Sequence, residues 1–373
     1  MAYGILESVF GFVQIESLIF MKKYIKYILL TFIFLTVLYV GCSKQNPVIP
    51  PEEKPDTTSH EFTWEIDTIG EFQSNLYDVW GSEDYAYAVG QIYWPDRQLP
   101  INIISWDGLN WTPVDFLEGY LSSIYGFDQN DIWVCGDWRV DNDLFALVGH
   151  WNGHTWKIWK LQQYNHLESI WGTNSSNIYA CGWAGTILHY NGSSWTKQES
   201  GTSNNLRDIW GIDNSNIFIA GDKESTGEGV LLKFDGASWK PIAKGSPQTD
   251  STLYGGFEGV WSNSIEKITL VGALVYEGTE ESWELADIPY NYPIGNINGL
   301  AAMRSVHGSK ENNVFICGDY NLIIHWNGST WHIYDQFFNK SKPSNLFGVW
   351  VNEKSVFIAG SENARAIIYR GKQ

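Results

Sequence analysis

Short segments dominated by apolar and aromatic residues recur along this chain, each ending in a glycine and separated by polar, glycine-rich breaks. The clearest is LRDIWGIDNSNIFIAG (Leu206–Gly221), and its relatives begin at Leu76, Leu121, Leu167, Phe257, Met303 and Leu346. Each copy splits into an LxxIWG run and an IYACG-type run rich in β-branched and aromatic residues, the composition of strands. A second signature follows after a variable gap: HYNGSSW (His189–Trp195), KFDGASW (Lys233–Trp239), HWNGSTW (His325–Trp331). Asn-Gly and Asp-Gly between apolar residues predict tight hairpins in which both central residues take φ > 0. Asp107-Gly108, Asn152-Gly153, Asn191-Gly192, Asp235-Gly236 and Asn327-Gly328 fit, and Glu277-Gly278 takes the place in the weaker fifth copy.

The glycines closing the second run, Gly90, Gly136, Gly182, Gly221, Gly272, Gly318 and Gly360, are spaced by 46, 46, 39, 51, 46 and 42 residues. Periods in the forties with four short strands per unit predict propeller blades rather than a helical solenoid. The last unit stops at Gln373 without a fourth strand, whereas Phe62–Ile66 reads as a fourth strand with no blade of its own. The expectation is an all-β, seven-bladed propeller of four-stranded antiparallel blades, residues 61–373, its ring closed by an N-terminal outer strand that completes the last blade. These repeats resemble the seven-bladed propellers grouped with WD40-like, YVTN and Asp-box proteins, and the aromatic-[Asn/Asp]-Gly-x-x-Trp hairpin is similar to an Asp-box turn. The resemblance implies a fold and leaves activity open, because propellers host many unrelated functions.

The N-terminus reads differently. Met21-Lys22-Lys23 opens a basic stretch, Tyr27–Gly41 is an apolar run of 15 residues, and Gly41-Cys42-Ser43 follows. That run is the length of a signal-peptide core and short for a membrane span. It resembles a bacterial lipobox, which implies a signal peptide in residues 1–41 with its start at Met21, and acylation of Cys42; an uncleaved anchor helix is the alternative. Residues 42–60, with Pro47, Pro50, Pro51 and Pro55, read as an extended linker. The expected location is the bacterial cell envelope, lipid-anchored on the periplasmic side of the outer membrane or on the cell surface.

Charge narrows the partners. The chain has 24 basic and 42 acidic residues, a net charge of −18, which repels phosphate backbones and excludes nucleic acid as a natural partner. Membrane attachment is therefore assigned to the lipid on Cys42. Cys135, Cys181 and Cys317 each precede the glycine closing the second strand, a slot filled by Val or Ala in the other copies, and so read as small buried hydrophobes rather than disulfide partners.

Of 20 Trp, sixteen occupy repeat positions and leave Trp94, Trp138, Trp159 and Trp183. Trp94, Trp138 and Trp183 follow the closing glycine in neighbouring blades, where they form either an aromatic binding platform or covers over their own loops. The candidate ligand-binding face carries Trp94, Arg97, Trp138, Arg139, Asp143, Trp183, Lys223, Asp319, Tyr320 and Arg365. Three residues before the first-strand aromatic, successive blades carry Tyr77, Ser122, Glu168, Arg207, Glu258, Arg304 and Phe347. The alternation of Glu168, Arg207, Glu258 and Arg304 predicts either a ring of inter-blade ion pairs or a polar channel mouth. Asp78 and Asp208 share the next slot with Ser and Gly. No histidine spacing marks a metal site, Asp141-Asn142-Asp143 lacks the rest of a calcium loop, and no cofactor is expected. The leading expectation is a monomeric, non-catalytic recognition module for glycan or protein. A carbohydrate-active enzyme, with an acidic pair lining the channel, and a structural part of an envelope complex are the alternatives.

Overall fold

The computed structural model describes residues 56–114, 119–141, 143–248, 252–289, 302–339, 341 and 344–373. The signal segment, Cys42 and the linker to residue 55 lie outside the described residues. The described chain forms seven four-stranded antiparallel sheets arranged as blades in a ring. Within each blade, strand A lines the axis and strands B, C and D follow outward in chain order. The exception is blade seven, whose strands A to C are Ser344–Val351, Ser355–Glu362 and Arg365–Lys372 and whose outer strand is Thr63–Ile69. That N-terminal strand pairs from Thr63 opposite Lys372 to Ile69 opposite Ala366, so the two ends of the chain close the ring on each other.

Strand B explains the densest apolar runs. In blade three, Ile178–Gly182 is buried throughout because each strand B is sandwiched between two neighbouring blades. Trp133, Cys135 and Val148 of blade two share one core with Leu167, Ile170 and Ala180 of blade three. Cys135, Cys181 and Cys317 are fully buried free thiols. The strand-D tryptophans extend the same joints: Trp195 packs on Trp133 of the preceding blade at 6.3 Å, and Trp64 on Phe315 at 6.3 Å.

The hairpins between strands C and D differ from the expected two-residue turns. Tyr190 pairs with Trp195 and Trp106 with Trp111, leaving four-residue loops. Only the glycine takes a left-handed φ, 86° at Gly192 and 93° at Gly108. The preceding Asn or Asp acts through its side chain: Asn191 Oδ1 accepts from the amides of Ser193 and Ser194, both at 3.0 Å. The residue pair is therefore a side-chain-capped loop, which is how Asn and Asp substitute for backbone in turns. In blade five, Gly278 is not the turn but pairs with Trp283, and the loop is Thr279–Ser282. The blade-two segment after Gly136 is a regular hairpin carrying Trp138 opposite Phe145 and Arg139 opposite Leu144. Trp138, Phe145 and Ala146 supply enough apolar alternation to extend the ladder.

Residues 56–60 dock on blade six before the outer strand begins. Thr58 donates its amide to the Asn327 carbonyl at 3.0 Å, and Tyr334 donates its hydroxyl to the His60 carbonyl at 2.8 Å. Asn312 and Asn327 lie on the A–B and C–D turns, so this strap sits at the end of the ring opposite the B–C and D–A connections.

Candidate functional site

Three successive positions on strand A build the axial region. All seven A strands carry a register shift across the same residue, between Leu167 and Ser169 in blade three and between Leu206 and Asp208 in blade four, for example. The bulged residues are Tyr77, Ser122, Glu168, Arg207, Glu258, Arg304 and Phe347. A bulge leaves its extra residue unpaired and re-aims its side chain, and here it turns seven side chains of five types onto the rim of the channel.

The next slot forms a belt. Asp78 accepts from Ser123 Oγ at 2.8 Å and the Ile124 amide at 2.9 Å, both in blade two, and from its neighbour Val79. Asp208 accepts from Ser169 Oγ of blade three at 3.0 Å and from the Val260 amide of blade five at 3.0 Å. Desolvation dominates and pushes Asp78 up to about 7 and Asp208 up to about 6, against the pull of those hydrogen bonds. Glycine takes this slot in blade seven because a Cβ on Gly348 would lie 2.7 Å from the Asp78 carboxylate.

Two residues further, the aromatics close the axis. Tyr125 reaches across it to Trp171, Trp210 and Trp350 at 6.5, 6.4 and 6.1 Å. His307 stacks on Trp350 at 4.0 Å. Each Trp also engages the next blade: Trp80, Trp171 and Trp261 lie over Gly126, Gly211 and Gly308. Trp210 and Trp350 donate to the carbonyls of Ser262 and Gly81, both at 2.7 Å. This plug leaves a blind bowl facing the B–C and D–A connections, with a floor cavity of about 50 Å3 lined by the belt and the plug.

The rim has two halves. From blade seven to blade three an arc of rings runs Phe347, Tyr77, Tyr120, His166, Trp183, with successive centroids 5.8, 4.9, 6.0 and 4.9 Å apart. The other half is charged. Arg207 holds Glu168 at 3.0 Å and Asp222 at 2.6 Å, and Arg304 holds Asp319 at 3.0 Å. The halves meet at His166, whose Nδ1 is 2.7 Å from Asp137 and whose Nε2 is 3.4 Å from Glu168. Burial alone would lower its pKa, but these two carboxylates raise it to about 9, so the ring is cationic at neutral pH. The Trp183 indole donates to Glu168 at 2.6 Å.

The candidate face is thus divided. Trp183 and Asp319 join the rim. Trp94 packs onto the core shared by blades seven and one, and Trp138 lies against Phe145 at 5.8 Å with the Lys160 ammonium 4.6 Å over its ring. Arg97 is exposed on the blade-one loop and Arg139, Asp143, Lys223 and Arg365 at the ends of strands, and Tyr320 takes a left-handed φ of 62° beside Phe338. Glu168, Arg207, Glu258 and Arg304 all lie on the rim. Ion pairs link Glu168 with Arg207 across two blades, whereas Arg304 pairs within its own blade. Tyr120, His166, Asp137 and Asp222 were not singled out by the sequence. The signal available was Gly-Asp after strand B in blades two, four and six: Asp137, Asp222 and Asp319. Among the described residues no group of three or more His, Cys, Asp or Glu is arranged to hold a metal ion.

No protein-family profile and no curated protein matches the chain. Solved structures do. One described as YCF48 bound to D1 peptide aligns with a TM-score of 0.59 at 14% identity, over 86% of this chain and 100% of its own. YCF48 from Cyanidioschyzon merolae aligns with a TM-score of 0.57 at 13% identity, over 82% and 98%. The likeness is one of fold.

Proposed function

We propose that this chain is an exported, lipid-anchored propeller that binds a protein segment, without catalysing a reaction on it, in the blind bowl at the centre of its B–C/D–A face. The observation that carries this reading is the plug set directly beneath a rim of seven side chains of five types. A closed floor under a chemically varied wall suits capture of a guest, and concave, partly aromatic sites with a few placed polar groups are the usual form of such capture. The similar fold solved with a bound peptide supports a protein guest over other classes. The carboxylates with the largest upward shifts, Asp78 and Asp208, receive hydrogen bonds from neighbouring blades, which gives them a joining role. Attachment through Cys42 and a location in the cell envelope remain part of the proposal, on the signal-like run and the cysteine that follows it.

Glycan is the second reading, favoured by one observation: Tyr120 and Trp183 expose 37% and 39% of their surface at the rim, enough for a ring to stack on a sugar face. Presenting the full chain in detergent to a peptide array and a glycan array separates the two. The expected result is binding to peptides that is lost in Tyr77→Ala/Tyr120→Ala protein with an unchanged melting temperature. Binding to glycans alone, dependent on Trp183, would overturn the protein reading in favour of sugar.

A further inference from the structure

The charges around the bowl do not balance. Asp137, Glu168, Asp222 and Asp319 are each matched to His166, Arg207 or Arg304. Glu258, set in the fields of Arg207 and Arg304, is the one rim carboxylate with no hydrogen-bond donor or ion-pair partner among the described residues. Arg207 is held by Glu168 and Asp222 and Arg304 by Asp319, so both act on Glu258 through their fields and neither forms an ion pair with it. Directly below, Asp208 reaches the Val260 amide, two residues along from Glu258, and Asp78 shares the same floor. Glu258 at the rim and Asp208 and Asp78 at the floor thus form no ion pair among the described residues.

A second observation comes from the plug. His307 is 6% exposed and lines the floor cavity. Its Nδ1 accepts from the Val351 amide at 3.0 Å, which assigns the proton of the neutral ring to Nε2, and that N–H has no partner. A buried donor without an acceptor carries a desolvation cost of about 1–3 kcal/mol. An acceptor in the cavity, such as a water, relieves it, and Ser305 lines the same cavity with its hydroxyl proton uncommitted.

We propose that the bowl receives an ammonium group of the bound segment, with Glu258 at the rim and Asp208 and Asp78 at the floor as its counter-charges and a water on His307 completing its shell. This rests on the peptide-binding reading and names what that site selects. A compact, strongly hydrated ammonium suits a floor of carboxylates and a bridging water better than the planar guanidinium fork. The methylene stem of a lysine has the arc of Phe347, Tyr77 and Tyr120 to lie against, as long cationic side chains do when the head alone is polar. The overall charge of −18 adds long-range attraction for a cationic segment.

The ammonium has two sources, a lysine side chain and a free amino terminus. The test uses full-length protein and synthetic peptides that are neutral except at one central residue, lysine, acetyl-lysine, arginine, glutamine or glutamate, all capped at both ends, with a second lysine-free set left free at the amino terminus. The expected result is binding of lysine peptides, free-terminus peptides or both at least about tenfold tighter than acetyl-lysine, glutamine and glutamate peptides, with arginine weaker than lysine. Glu258→Gln should remove about tenfold of that preference with the melting temperature unchanged; it carries the test because Asp78 and Asp208 also join blades. Equal binding of lysine and acetyl-lysine peptides, or preference for glutamate, overturns the ammonium site and leaves peptide binding intact. Absence of binding to every peptide overturns both.

Discussion

The rim and the plug stand three residues apart on the same seven strands, yet they follow opposite rules. At the plug, Trp80, Tyr125, Trp171, Trp210, Trp261, His307 and Trp350 are all ring side chains, and nearly every one reaches the following blade. At the rim, Tyr, Ser, Glu, Arg, Glu, Arg and Phe are apolar, neutral polar, anionic or cationic by turns. Both levels face the axis, so position alone does not account for the difference. The plug repeats because each joint between blades poses the same packing problem. The rim does not repeat because the bulge frees its residues from the ladder, and a ligand off the seven-fold axis would meet each blade differently.

The comparison breaks most visibly under large-to-small substitution at the plug. Trp171→Ala should cost about 3–5 kcal/mol in denaturant unfolding, the usual cost of emptying a packed aromatic site. Gly211→Ala should approach it from the other side: the added Cβ would meet the Trp171 ring at 2.4 Å, an overpacking worth about 1–3 kcal/mol. If both substitutions were tolerated within experimental error, the plug would not be the structural level. The belt should lie between the levels. Asp78→Asn turns an amide NH2 toward either the Val79 amide or the Ser123 and Ile124 donors, and about 1–3 kcal/mol should be lost.

Repetition also decided what could be read from the sequence. Blade number, strand order, the outer strand at Trp64 and the buried cysteines were legible because seven imperfect copies of one packing solution reinforce one another. The rim was half legible. Glu168, Arg207, Glu258 and Arg304 stood out by alternating at a fixed offset, but the bulge that turns them to the axis leaves no mark in a single strand. His166 and Asp137 were missed because they meet across blades two and three, 29 positions apart. Trp94, Trp138 and Trp183 all follow the closing glycine, at different distances, yet only Trp183 reaches the rim, because the hairpin of blade two and the loop of blade one carry their rings onto local cores instead.

Two histidines sharpen the contrast through their titration. His166 at the rim is raised to about 9 and His307 at the plug is lowered, by burial, to about 3. His166 binds its proton more tightly folded than unfolded, so its contribution is complete below about pH 6.5 and is lost as pH rises through 9. His307 has the opposite sign: its contribution is present above about pH 6.5 and is lost as pH falls toward 3. Proton-detected imidazole titrations should find the two moving apart on either side of neutrality. Two coincident midpoints near 6.5 would remove the distinction between a paired rim and an apolar plug.

The smallest effect is expected where function is proposed. Arg304→Gln breaks the pair with Asp319, but the Arg304 side chain is 34% exposed and the pair is open to solvent, so stability should change by no more than about 1 kcal/mol. Removing this cation leaves Asp319 unpaired, takes one of two positive fields off Glu258, and makes that side of the bowl more negative. Lysine-peptide affinity should therefore rise while unfolding barely moves, the reverse of the pattern at Trp171. A large loss of stability in Arg304→Gln would instead make the charged half of the rim part of the joint between blades, and the two levels would then differ only in the chemistry of their packing.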